Sequence, residues 1–238
     1  VDETPGQKGL AFVMHGLGGF KEQPHIQAFA QAFRDKNYSV VLFDTTHSVG
    51  ESDGNYEDAT TTNYYEDLED VINWSKSQSW FQSPFILCGH SLGGFSITYY
   101  AQNHPTEIKA IAPMSPMVSG ELSVVAHGKE EIEDWKKTGW RIRPSASKPG
   151  LMKKLKWSHM EDRLKYNLLN GAEKLTMPVL LIVGEDDDSI PPAHQKLLFD
   201  KLPGKKEFYI IKGAPHTFRD KEHLDEIREI MGRWVEEL

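Results

Sequence analysis

Ser91 lies in Gly89-His90-Ser91-Leu92-Gly93, with an apolar run at 85–88 before it and a helical pattern at 95–101 after it. Strand, sharp turn and helix form the context in which G-x-S-x-G lifts a serine hydroxyl onto the tip of a turn. Gly89 and Gly93 remove the β-carbons that would collide where strand and helix approach, and Ser91 has to hold a strained backbone conformation there. The amide of Leu92, at the helix start, is directed where an oxyanion would form and gains from the helix dipole. The plainer alternative is a small-residue turn without chemistry, and the rest of the chain decides against it.

A serine hydroxyl is a poor nucleophile near neutral pH, so it needs a base, and the base needs a partner to orient it. Among ten histidines, His216 follows the apolar run 208–211, in Gly213-Ala214-Pro215-His216-Thr217-Phe218, and precedes the last helical pattern. In a parallel sheet that loop leaves the same edge as the turn holding Ser91. His216 is therefore the candidate base. His90 is next to Ser91 on a tight turn, points elsewhere and is read as structural, while His15 supports the loop it begins. His25, His47, His104, His127, His159, His194 and His223 are expected on the surface or in an inserted segment, without a catalytic part. The orienting acid should follow the run 179–183, in Gly184-Glu185-Asp186-Asp187-Asp188-Ser189-Ile190-Pro191. Like charges this close do not all stay buried, so one aspartate turns inward and the others stay solvated. Chemistry alone leaves the choice among the three open. No metal is expected there, because consecutive loop side chains do not converge on one ion as spaced ligands do.

A second oxyanion donor is expected from His15-Gly16-Leu17-Gly18-Gly19, where a backbone N–H, that of Leu17, can approach a substrate without side-chain interference. A phosphate cradle is the alternative for such a loop. It lacks the Lys-Ser/Thr of a P-loop, and its spacing does not fit a dinucleotide fingerprint.

The elements that must position these residues follow a repeated pattern of short apolar run, turn and helix, which implies parallel strands with crossover helices. Strands are expected at 9–14, 38–43, 84–88, 108–113, 178–183 and 207–211, and helices at 23–34, 63–75 and 220–238. The segment 117–175 breaks the rhythm, with Trp135, Trp140, Trp157, Met152 and Met160 and no clear buried strand. It is read as a cap of helices inserted into a core formed by 1–116 and 176–238. Between 117 and 170 there are 11 Lys and Arg against 7 Asp and Glu, in a chain of net charge -8. The bland reading is a solvated helical face; the sharper one is a cationic surface for anionic substrates or membrane headgroups.

The acidic balance argues against a nucleic-acid partner. The single cysteine, Cys88, excludes an intrachain disulfide, and a reducing cytoplasm is the expected compartment. No apolar run approaches the roughly 20 residues needed to span a bilayer, so no stable membrane insertion is expected. Residues 1–5 have neither a basic start nor an apolar core, so no signal peptide is visible. A homodimer is compatible with the sequence, which says nothing further about assembly.

Together, H-G-L-G-G, G-H-S-L-G-G, G-E-D-D-D-S-I-P and G-A-P-H make the chain resemble the α/β-hydrolase superfamily over essentially its whole length. Within it the chain is most similar to small capped carboxylesterases of the cinnamoyl/feruloyl esterase, monoacylglycerol lipase and serine aminopeptidase groups. In those families the acid loop reads G-x-x-D-x-x-V/I-P, and the resemblance implies that the acid is Asp187. It likewise implies Ser91 as nucleophile, His216 as base, and Leu17 and Leu92 as oxyanion amides. Only nine residues precede Leu10, so a six-stranded sheet is expected where many relatives have eight. The expected activity is cofactor-free hydrolysis of a small-molecule carboxylic ester, the cap tryptophans pointing to aromatic or medium-chain acyl groups. Gly16, His90, Trp135 and Trp140 are candidate substrate contacts. A thioesterase or an amidase or peptidase on the same residues, or a non-catalytic ligand receptor of this fold, are the alternatives.

Overall fold

The computed structural model describes residues 1–145, 148 and 150–238. Its centre is a six-stranded sheet of order β2-β1-β3-β4-β7-β8 with every neighbour parallel. The strands are β1 (Leu10–Met14), β2 (Ser39–Phe43), β3 (Phe85–His90), β4 (Ile108–Met114), β7 (Val179–Gly184) and β8 (Lys206–Ile211). These are the six runs expected from the sequence. A sheet covered on both faces buries both sides of each central strand, which is why the strands read as continuous apolar runs.

Side-chain alternation divides the core into two layers. Leu10, Phe12 and Met14 of β1 face one layer, which they share with α2 (Thr61–Ser75), α3 (Leu92–Asn103) and α7 (Pro192–Lys201). Ala11 and Val13 face the other, built on α1 (Pro24–Arg34) and α8 (Lys221–Glu236) through Ile26, Phe29, Ile227 and Met231. α2 starts under an N-cap in which the Thr60 hydroxyl accepts from the Asn63 amide at 3.0 Å. No helix of the described residues is long and apolar enough to cross a membrane.

The segment between β4 and β7 corrects the expectation of a strandless, helical insertion. It contains α4 (Gly120–His127), α5 (Lys129–Thr138), an antiparallel hairpin of β5 (Trp140–Pro144) and β6 (Met152–Lys156), and α6 (Ser158–Arg163). Hairpin strands expose most of their residues and carry Arg and Lys, so they lack the apolar run that marks a buried strand. Leu155 turns inward, and Arg141 and Arg143 both reach Glu131 of α5.

Candidate active site

Four strands of the sheet end at the same edge, and each delivers one part of the site. β3 ends at His90, and Ser91 follows with φ 56° and ψ −115°. A non-glycine residue at positive φ is strained by about 1–3 kcal/mol and persists only where its surroundings fix it. Here the Ser91 amide donates to the Met114 carbonyl at 2.9 Å, and the Ser91 carbonyl accepts from Phe95 at 2.9 Å and Met117 at 3.1 Å. Glycine is needed behind it: a β-carbon on Gly93 would lie 2.4 Å from the His15 carbonyl oxygen.

His216 stands in the loop after β8. Its Nε2 is 3.0 Å from Ser91 Oγ and its Nδ1 2.8 Å from Asp187 Oδ2. Of the three aspartates after β7, Asp187 is the buried one, at 3% exposure, while Asp186 and Asp188 face solvent. Its second oxygen, Oδ1, accepts the amides of Ser189 (3.1 Å) and Ile190 (2.8 Å). Burial alone would raise the Asp187 carboxyl, but the His216 hydrogen bond and charge and the Ile190 amide outweigh it and hold it below its ordinary range. The two loops are tied together by the Asp186 amide donating to the Ala214 carbonyl at 3.0 Å.

The glycine-rich loop after β1 abuts Ser91, since a β-carbon on Gly16 would fall 2.9 Å from Ser91 Cβ. His15 braces that loop: Nδ1 donates to the Gly16 carbonyl at 2.8 Å and Nε2 accepts the Thr45 amide at 3.1 Å. Tyr64 of α2 braces it from below, its hydroxyl accepting from the Gly18 amide at 3.0 Å and donating to the Gly16 carbonyl at 3.3 Å. The amides of Leu17 and Leu92 have no acceptor among the described residues.

These parts open on a cleft of about 110 Å³. Gly16, Leu17 and His90 line it with Ser91 and His216, as do Gln23, His25 and Thr217; Lys153 and Arg219 complete the wall. Trp135 and Trp140, candidate substrate contacts by sequence, are not brought there. Trp135 is 1% exposed, packed edge-on against Trp157 with its Nε1 donating to the Leu155 carbonyl at 3.1 Å, and Trp140 stands on the outer face of the hairpin. An indole fills core volume as readily as it lines a pocket, and here the segment uses Trp135 to pack itself. The aromatic acyl expectation loses the residues it rested on.

His25 is a second correction, being buried at 2% exposure with its ring 4.6 Å from that of His90. The signal was present, because His25 lies one turn before Phe29 on the apolar stripe of α1. His90 is held by donating Nε2–H to the His216 carbonyl at 2.8 Å. Tyr64, Gln23, Thr217, Lys153 and Arg219 were not picked out by sequence reasoning. Tyr64 reads as an ordinary core position, and only the charge reversal of the segment hinted at Lys153.

The buried histidines carry a pH consequence. Burial pushes His90 down to about 3 and lowers His15, His25 and His159 as well. Below about pH 6.5 the unfolded chain takes up these protons before the folded one, so folding stability is full above that pH and falls as the medium is acidified. Each group contributes a slope of up to about 1.4 kcal/mol per pH unit in that window. The denaturation midpoint in urea is therefore expected to fall steeply from pH 7 to pH 5 and to be nearly flat from pH 7 to pH 8. A flat midpoint across the acid range would show that these histidines are not kept neutral by the fold.

Crossovers over a parallel sheet, with the serine turn, acid and histidine at its carboxyl edge, are those of the α/β-hydrolase superfamily. The chain belongs to the Hydrolase_4 family, described as serine aminopeptidase S33, whose profile matches residues 5–165. That stretch contains Ser91 and the glycine-rich loop, while Asp187 and His216 lie beyond it. The chain is 26% identical over 239 residues to an uncharacterized 31.7 kDa protein from the traX-finO intergenic region of Escherichia coli, covering 87% of this chain and 82% of that one. It is 25% identical over 202 residues to the mitochondrial palmitoyl-protein thioesterase ABHD10 of Bos taurus, covering 83% of this chain and 63% of that protein. Among solved structures, Est1E from Butyrivibrio proteoclasticus with bound ferulic acid superposes with a TM-score of 0.81 at 22% identity, over 97% of this chain and 89% of that one.

Proposed function

We propose that the protein is a serine hydrolase that cleaves carboxylic esters through an acyl-enzyme. The observation that carries this reading is the single imidazole bridging Ser91 Oγ at 3.0 Å and Asp187 Oδ2 at 2.8 Å. In this arrangement His216 donates Nδ1–H to Asp187, which leaves Nε2 free to take the serine proton. Ser91 Oγ attacks the ester carbonyl carbon as that proton moves to His216, and the amides of Leu17 and Leu92 hold the oxyanion. The tetrahedral species collapses, the carbon–oxygen bond to the alcohol breaks, and His216 returns the proton to the departing alkoxide. Water, deprotonated by His216, then attacks the acyl carbon and frees the acid and Ser91. Residues 117–175 act as the cap of this site and reach the cleft through Lys153.

Thioester cleavage is the second reading, favoured by the similarity to a palmitoyl-protein thioesterase. Both readings use the same atoms, and a thiolate leaves without needing the proton that an alkoxide needs. Labelling with a fluorophosphonate probe, wild type beside Ser91→Ala, tests the common chemistry, with 4-nitrophenyl esters and an acyl thioester of equal chain length assayed on the same samples. Labelling confined to the wild type, with ester turnover, is the expected result. Labelling with thioester turnover alone moves the assignment to thioesterase, and no labelling in a folded protein leaves a ligand receptor.

A further inference from the structure

The ester chemistry makes no use of the charges on the cleft wall. Lys153 projects from β6 across to the glycine-rich loop, where its Nζ donates to the Gly18 carbonyl and stands 5.3 Å from the centre of the Tyr56 ring. Arg219, three residues after His216, lines the same cleft. Neither has a carboxylate within ion-pairing distance among the described residues. Other cations of the segment do: Arg141 and Arg143 share Glu131, and Lys156 pairs with Asp58. No acidic side chain lines the cleft among those residues, and its histidines at 25 and 90 are kept neutral by burial. Lys153 is half-buried between a carbonyl and a ring, with no counter-charge among the described residues. Burial first, and the neighbouring charge of Lys148 second, push its ammonium down to about 8. A partly desolvated cation without a counter-charge is unfavourable, and a bound anion removes that penalty.

We infer that Lys153 and Arg219 form a recognition site for a carboxylate or similar oxyanion carried by the substrate, so that the esters cleaved here are anionic. This rests on the ester-hydrolase reading and names its substrate class. The cleft agrees in size and character: about 110 Å³ walled by histidine, glutamine, threonine and glycine backbone suits a short polar molecule better than a long alkyl chain. Charges at the mouth also gather anions from solution before they dock. The competing account makes Lys153 a strut that pins the hairpin to the Gly18 carbonyl and leaves substrate choice alone.

Two matched pairs of esters separate the accounts and tell which half of the substrate bears the charge. 4-Nitrophenyl hydrogen adipate against its methyl ester places the carboxylate on the acyl half; 4-acetoxybenzoate against its methyl ester places it on the alcohol half. The wild type is expected to favour the anionic member of one pair by about tenfold or more in kcat/KM, the scale of a hydrogen bond to a charged group. In Lys153→Met and Arg219→Gln that ratio falls, chiefly through KM, whatever happens to the neutral rate; Lys153→Arg retains it. The ratio also shrinks in 0.5 M salt. Above about pH 8 it fades as Lys153, which faces Tyr56, His15, Lys148 and Arg143, loses its proton. A ratio at or below one in both pairs overturns the inference, as does a Lys153→Met protein in which both members of the preferred pair drop equally. Calorimetry on Ser91→Ala keeps the two readings apart. Tighter binding of the hydrogen adipate ester than of its methyl ester, lost on adding Lys153→Met, supports the anion site even if no ester is turned over. Turnover of neutral esters without anionic preference sinks the anion site and leaves the hydrolase.

Discussion

On the proposed mechanism, Ser91→Ala is expected to lower kcat for every accepted ester by about 10⁵- to 10⁶-fold, the loss that follows when the nucleophile of such a group is removed. The protein still folds. Alanine at 91 inherits the positive φ of the turn, and the backbone bonds to Met114, Phe95 and Met117 that hold this strained residue do not involve the side chain. Far-ultraviolet circular dichroism and the denaturation midpoint should therefore match the wild type. A residual rate of about 10³- to 10⁴-fold over water is expected, because the amides of Leu17 and Leu92 and the cleft remain. Activity within about a hundredfold of wild type would mean that water attacks directly and that no acyl-enzyme forms.

Asp187→Asn is expected to cost about 10⁴-fold in kcat with little effect on KM. The hydrogen-bond inventory of the residue explains why. Asp187 Oδ1 is committed to the amides of Ser189 and Ile190. In the asparagine the oxygen must stay with those two donors, which forces the side-chain NH₂ toward His216. An N–H facing His216 Nδ1 requires that nitrogen to accept, which moves the imidazole proton to Nε2 and points it at Ser91. The base then has no lone pair for the serine proton. Asp188→Asn, at an exposed position, should change kcat less than about twofold. If Asp188→Asn proved the damaging change and Asp187→Asn the silent one, the acid assignment would move to Asp188.

The four inner strands were legible because a strand covered on both faces must be apolar at successive positions, as in Leu180-Leu181-Ile182-Val183, and the edge strands β2 and β8 by shorter apolar runs. The hairpin was not, since Arg141, Arg143, Lys153 and Lys154 carry no periodic apolar signal. Ser91 and His216 stand out by their turns. Asp187 could be singled out only through a family pattern, because three identical side chains in a row differ by which one finds two backbone amides, a property of the folded loop. Residue type also misleads where one side chain has two uses. Trp135 packs the inserted segment on itself, and His25, read as a surface residue, is buried against His90.

The division of labour along the chain has a consequence for how such a protein can change. Everything proposed to make and break bonds comes from short turns at one edge of the sheet. The segment between β4 and β7 meets the cleft through Lys153 alone among its described residues. The hairpin surface can accumulate substitutions without touching the reacting atoms, and on the proposed reading an exchange at position 153 changes which substrates are favoured while the bond-making turns stay as they are. One half of the proposed anion site, Lys153, is thus inherited on a stretch of sequence separate from the bond-making turns, while the other, Arg219, travels with the histidine loop.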